Sequence, residues 1–87
     1  MAKMYVRSTI TDFDNWLAVF NNMTPLRKRF GCTGENIFRH HKDQNELLVI
    51  TDWASKDQAM RYGQSGEMKA GMEKAGVINT PQIWFSE

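Results

Sequence analysis

Hydrophobic positions along this chain follow two periods in alternation. Residues 44–55, QNELLVITDWAS, hold four apolar residues in a row, Leu47 to Ile50. Side chains on a strand point alternately to opposite faces, so a strand with one wet face should alternate, and this run asks for cover on both. MYVRSTI (4–10) is rich in β-branched and aromatic residues and reads as a first strand. GENIFRHH (34–41) and NELLVITDW (45–53) are two more. The polar link KDQN between them has hairpin length, which predicts an antiparallel pair. TPQIWFSE (80–87) closes the chain as a last strand, placed near a sheet edge by Pro81.

Between these runs the period becomes helical. Phe13, Trp16, Leu17 and Phe20 recur at spacings of three and four, on one face of a helix that Asp12 or Asp14 can cap. Thr24 is a good N-cap and Pro25 suits a first helical position, so a kink or restart is expected there. The helix then runs to Gly31, with Arg27, Lys28 and Arg29 near its negative end. Ser55 with Gln58 makes a capping box that opens a short helix. Ser65 offers a second N-cap for GEMKAGMEKAG, whose Met68, Met72 and Ala75 share a face and whose Gly76 can end it.

The resulting order is β-α-β-β-α-β, in a single domain spanning residues 1–87. With right-handed crossovers such a chain forms a ferredoxin-like α+β fold: a four-stranded antiparallel sheet with its helices on one face. The other face is bare. Yet every strand carries adjacent apolar residues: Tyr5 and Val6, Ile37 and Phe38, Leu47 to Ile50, and Ile83 to Phe85. Four strands of about six residues present a footprint on the order of 400 Å², the size of patch that marks an interaction site on a soluble monomer. A second copy related by a two-fold axis is the simplest cover. A homodimer closed sheet to sheet is therefore expected.

Composition narrows the partners. A 10.1 kDa chain has one small core, and a second subunit would add buried surface. Eleven basic against ten acidic residues give a net charge of +1, too weak a field to favour nucleic acid or an anionic membrane. One cysteine, Cys32, rules out an intramolecular disulfide framework, and no apolar run has the length of a membrane span. A cytoplasmic protein is the default expectation.

Several stretches together resemble the dimeric α+β barrels that include the antibiotic biosynthesis monooxygenase-like proteins and many "cyclase"-labelled chains. They are DFDNWLAVF, RKRFG, IFRHHKDQNELLVITDWAS and SGEMKAGMEKAGV, nearly the whole sequence. The resemblance implies two subunits packed sheet against sheet, each keeping a pocket between sheet and helices. Members that act as cofactor-free oxygenases bind a polycyclic phenol or quinol there; haem-degrading relatives ligate haem through a helix histidine. Here that helix position falls near Met72, and no histidine follows His41, which argues against haem. A histidine common in other relatives three residues before the serine is here Tyr62.

His40 and His41, as strand neighbours, are expected to face opposite ways and so cannot chelate one ion. No metal and no cofactor is expected. Tyr62 and His40 are the candidate acid-base or hydrogen-bonding groups. Trp16 and Trp53 offer flat stacking surfaces, and Met60, Met68 and Met72 offer an adaptable wall for a small apolar or aromatic ligand. For the tryptophans and methionines core packing is an equally ordinary use. Arg27 and Arg61 could steer an anionic substrate, although exposed helical arginines ordinarily just cover apolar surface and solvate the protein. No nucleophile elbow or phosphate loop is present, and the third strand lacks the glycine and aromatics of an RNA-recognition motif. Two uses of such a pocket stay open: cofactor-independent monooxygenase or cyclase-like chemistry, or ligand binding without turnover.

Overall fold

The four apolar residues 47–50 fall inside a central strand, β3 (Glu46–Trp53), of a four-stranded antiparallel sheet. The computed structural model describes all 87 residues. Its elements are β1 (Ala2–Thr9), α1 (Phe13–Asn22), α2 (Thr24–Phe30), β2 (Cys32–Arg39), β3, α3 (Lys56–Gly63), α4 (Gly66–Lys74) and β4 (Gln82–Ser86). The sheet order is β2-β3-β1-β4. Each crossover expected as one helix is thus two, divided at the two restarts that Pro25 and Ser65 signal.

The caps explain where the helices begin and stop. Asp12 accepts from the Asn15 amide at 3.1 Å and opens α1. Ser55 accepts from the Gln58 amide at 3.1 Å and opens α3. Gly31 ends α2 with φ of 107° and Gly76 follows α4 with φ of 84°, a left-handed conformation that glycine adopts without steric cost. At the α1/α2 break the N-cap is Met23, with no side-chain bond. Thr24, expected to cap, instead accepts from Arg27 Nη2 at 3.0 Å.

In β1 and β3 alternate residues are buried: Met4, Val6 and Ser8, and Leu47, Val49 and Thr51. These face the helices. Their neighbours line the other face, where the register sets Ile50, Tyr5 and Trp84 side by side and puts Phe38 next to Leu48. Trp84 on edge strand β4 is 49% exposed and Phe38 on edge strand β2 51%, so the outer face is apolar and uncovered along both flanks, with half-buried Tyr5, Leu48 and Ile50 between them. Ion pairs close its two ends, Lys3 with Asp52 and Arg7 with Glu46.

One irregularity decides which residues of β2 face inward. Between Cys32 and Gly34 the pairing with β3 slips by one residue, and such a bulge moves every later side chain to the opposite face. Glu35 and Ile37 consequently turn toward the helices and Phe38 turns out. β2 also ends at Arg39, earlier than the sequence pattern suggests. His40 and His41 are therefore in the hairpin, exposed, with rings stacked at 4.8 Å between centroids. The expectation that they diverge fails because strand alternation no longer applies past Arg39.

Candidate functional site

The buried apolar residues form two clusters rather than one. The first gathers Met4, Val6, Trp53 and Tyr62 with Met68; the second joins Ile10, Trp16, Leu47 and Val49 with Ala75. A cavity of about 60 Å³ lies between them, lined from both sides. Its floor is the inner face of β1 and β3, through Met4, Val6, Ser8, Val49 and Thr51. Its roof is helical, with Trp16, Val19 and Phe20 of α1, Tyr62 of α3, and Met68 and Met72 of α4. The wall is hydrophobic at twelve of its sixteen residues, as ligand sites usually are.

Of the residues singled out from sequence, Trp16, Tyr62, Met68 and Met72 meet at this cavity. Trp53 stands one layer behind. It is fully buried, its ring lies 5.2 Å from that of Tyr62, and its indole N–H donates to Thr51 Oγ1 at 2.7 Å. Trp53 thus fixes two lining residues without being one. Met60, half-buried on α3, is not part of the wall. His40 lies elsewhere, beside the outer face of the sheet near Arg7, Phe38 and Trp84. Its Nδ1 accepts from the amides of Lys42 at 3.0 Å and Asp43 at 3.2 Å, which shapes the hairpin.

Arg27 departs most from expectation. It is 3% exposed rather than solvated. Its guanidinium pairs with Glu35, donates from Nη2 to the Phe20 carbonyl at 2.8 Å, and lies over the Phe20 ring at 3.7 Å. The β2 bulge makes this possible by turning Glu35 inward. A buried cation needs such partners, because desolvation of an unpaired charge is costly. Arg61 is exposed, as expected.

Tyr62 sits between this cation and the core. Burial pushes its phenol above the ordinary value of 10.0, and the Arg27 guanidinium beside it works against that shift. Burial likewise raises the Cys32 thiol, which donates to the Gly34 carbonyl at 3.4 Å. Ser65 holds Tyr62 in place: its hydroxyl donates to the Tyr62 carbonyl at 2.7 Å and accepts from the Met68 amide at 3.1 Å. Thr51 uses its hydroxyl on Trp53 and the Met4 carbonyl, so Tyr62 and Ser8 are the hydroxyls available to a ligand. Sequence reasoning passed over Ser8, although a hydroxyl two residues after Val6 on an otherwise apolar strand face is a legible signal. No three His, Cys, Asp or Glu side chains gather into a metal-sized group. No helix is long and apolar enough to cross a membrane.

Sheet order and paired helices define a ferredoxin-like α+β domain. The family model for antibiotic biosynthesis monooxygenases matches residues 1–74, and the chain belongs to that family. Among solved structures, a candidate antibiotic biosynthesis monooxygenase from Bordetella bronchiseptica superposes with a TM-score of 0.80 at 17% identity, over 99% of this chain and 94% of that one. SnoaB, a cofactor-independent oxygenase from Streptomyces nogalater, superposes with a TM-score of 0.77 at 15% identity, over 99% of this chain and 90% of its own. A candidate monooxygenase from Caulobacter crescentus gives 0.74 at 16% identity, over 98% and 86%. Comparison with curated protein sequences finds no match. At these identities the structures share the fold with this chain.

Proposed function

We propose that the chain is a cofactor-independent oxygenase of a small planar phenol or enolisable ketone, bound in the cavity between sheet and helices of a homodimer. The observation that carries this reading is the pairing of an apolar wall with a phenol and a buried cation, Tyr62 and Arg27, at one place. An enol or phenol entering there meets the Tyr62 hydroxyl beside a guanidinium whose charge Glu35 balances, so its anion is favoured chiefly by hydrogen bonding in a low dielectric. That anion is the electron source. A ring methylene flanked by such a system gives its two hydrogens to one atom of dioxygen, which leaves as water, and takes the other as a carbonyl: CH₂ + O₂ gives C=O + H₂O. Tyr62 donates a hydrogen bond to the developing oxyanion, the edge of Trp16, whose ring is stacked between Phe13 and Phe20, closes the lining, and the apolar wall excludes water. In this reading the hydrogen-bonding role falls to Tyr62, because His40 lies on the hairpin. The resemblance to SnoaB, itself described as cofactor-independent, supports the class of reaction.

Oxygen uptake by the purified protein on a panel of two- and three-ring phenols and enolisable ketones tests the proposal, with mass spectrometry of the products. A product heavier by one oxygen and lighter by two hydrogens is expected. Tyr62→Phe should lower turnover by about tenfold or more, the loss of one preorganised donor. Tight binding with no uptake across the panel overturns the enzyme reading in favour of a ligand-binding protein.

A further inference from the structure

We propose that the Met23 side chain is a movable plug that sets the size of molecule able to reach the cavity; the inference rests on the small-molecule reading above. The cavity itself poses the problem. At about 60 Å³ it is well below the roughly 300 Å³ at the small end of ligand sites, so any ring compound must enlarge it.

The lining shows where it can yield. Its strand residues are all buried, as are Trp16, Arg27, Tyr62, Met68 and Ala75. The partly exposed ones are confined to two segments: Val19, Phe20 and Met23 at the end of α1, and Gly71, Met72 and Val77 in and after α4. The route to solvent is therefore the seam between α1 and α4. Across that seam Met23 meets Gly71. A Cβ placed on Gly71 would sit 2.3 Å from Met23 Sδ and 2.6 Å from its Cε. The thioether thus occupies the space a side chain at position 71 would need.

Both partners suit a closure that opens. Methionine has three rotatable bonds and no branch, so its tip swings between rotamers at little cost. Gly71 holds that tip by nothing but contact. Met23 also stands at the α1/α2 break, where no side-chain cap fastens the junction. The floor, by contrast, is hydrogen-bonded sheet on both sides. Rotation of Met23 outward joins the cavity to the seam and leaves the Arg27–Glu35 pair and the strands undisturbed.

Stopped-flow quenching of tryptophan fluorescence by phenol, 1-naphthol and 1-anthrol tests the plug, with circular dichroism and thermal melting to verify folding. In the wild-type protein the association rate should fall with ring number. Met23→Ala removes the plug and Gly71→Ala displaces it. Each should raise the association rate of 1-naphthol by about tenfold, as expected when a required conformational step is removed, and that of phenol by a smaller factor. Met23→Leu, branched and stiffer, should slow both. Equal rates for all three probes in wild type and variants overturn the plug while keeping the cavity as a binding site. Binding of no probe to any variant overturns the small-molecule reading and the plug together.

Discussion

Arg27 is the residue on which the interior depends most. A guanidinium at 3% exposure is tolerated because Glu35, the Phe20 carbonyl and the Thr24 hydroxyl take up the donors on Nε and Nη2. Removing it leaves Glu35 without its partner, and breaking a buried pair in this way costs about 3–5 kcal/mol. The Glu35 side chain retains 27% exposure, so water can take over part of the lost interaction, and the low end of that range or just below, about 2–3 kcal/mol, is expected for Arg27→Ala. Urea denaturation checks it. A double-mutant cycle with Glu35→Gln should return coupling of more than about 1 kcal/mol, and additive losses would refute a pair of this strength. Helical spacing alone could not reveal this residue. Arg27, Lys28 and Arg29 look alike in sequence, and the difference between them is created by a one-residue slip between Cys32 and Gly34 that turns a carboxylate inward. Tyr62 was legible for a different reason. A phenol on a helix needs a partner for its hydroxyl if buried, and this one stands three residues before the serine, where related chains carry a histidine.

Among the elements, the α3/α4 junction brings Tyr62 and Met68 to the cavity. The Ser65 hydroxyl ends one helix and starts the next, with a bond on each side. Ser65→Ala removes both bonds, and about 1 kcal/mol of stability is the expected loss, as at other N-caps. Because the same hydroxyl steadies Tyr62, turnover on a found substrate should fall more steeply than stability, measured by comparing kcat with the thermal midpoint. Equal activity with lowered stability would confine Ser65 to capping. The helix starts at Ser55 and Ser65, the restart at Pro25 and a first cap at Asp12 or Asp14 were legible because capping and proline chemistry act locally; the structure decides for Asp12. The end of β2 was not. The pattern IFRHH continues as strand by composition, but His40 accepts the Lys42 and Asp43 amides and starts the hairpin instead. Which of Ile37 and Phe38 faces the core likewise depended on the bulge, which leaves no mark in hydrophobic order.

For the whole molecule, the opening pattern of Leu47 to Ile50 has its physical counterpart in two apolar faces of one sheet. The inner face is covered by four helices. The outer face carries an apolar band across all four strands, from Phe38 through Leu48, Ile50 and Tyr5 to Trp84, with an ion pair at each end of the strands. Apolar centre and charged rim are the anatomy of an interface. We expect sedimentation equilibrium at micromolar concentration to give twice 10.1 kDa. Trp84→Lys, on an exposed position of the edge strand, should shift the protein toward monomer while preserving its circular dichroism. A monomeric wild-type protein would remove the dimer from the functional reading.

The gap that separates the two halves of the core has a mechanical consequence. Space that no atom fills is lost when a chain unfolds, so the denatured form takes up less volume, here by an amount on the order of a few tens of mL/mol. Hydrostatic compression should accordingly unfold this domain more readily than a solidly filled one of its length. A guest lodged in the gap would push the required pressure upward.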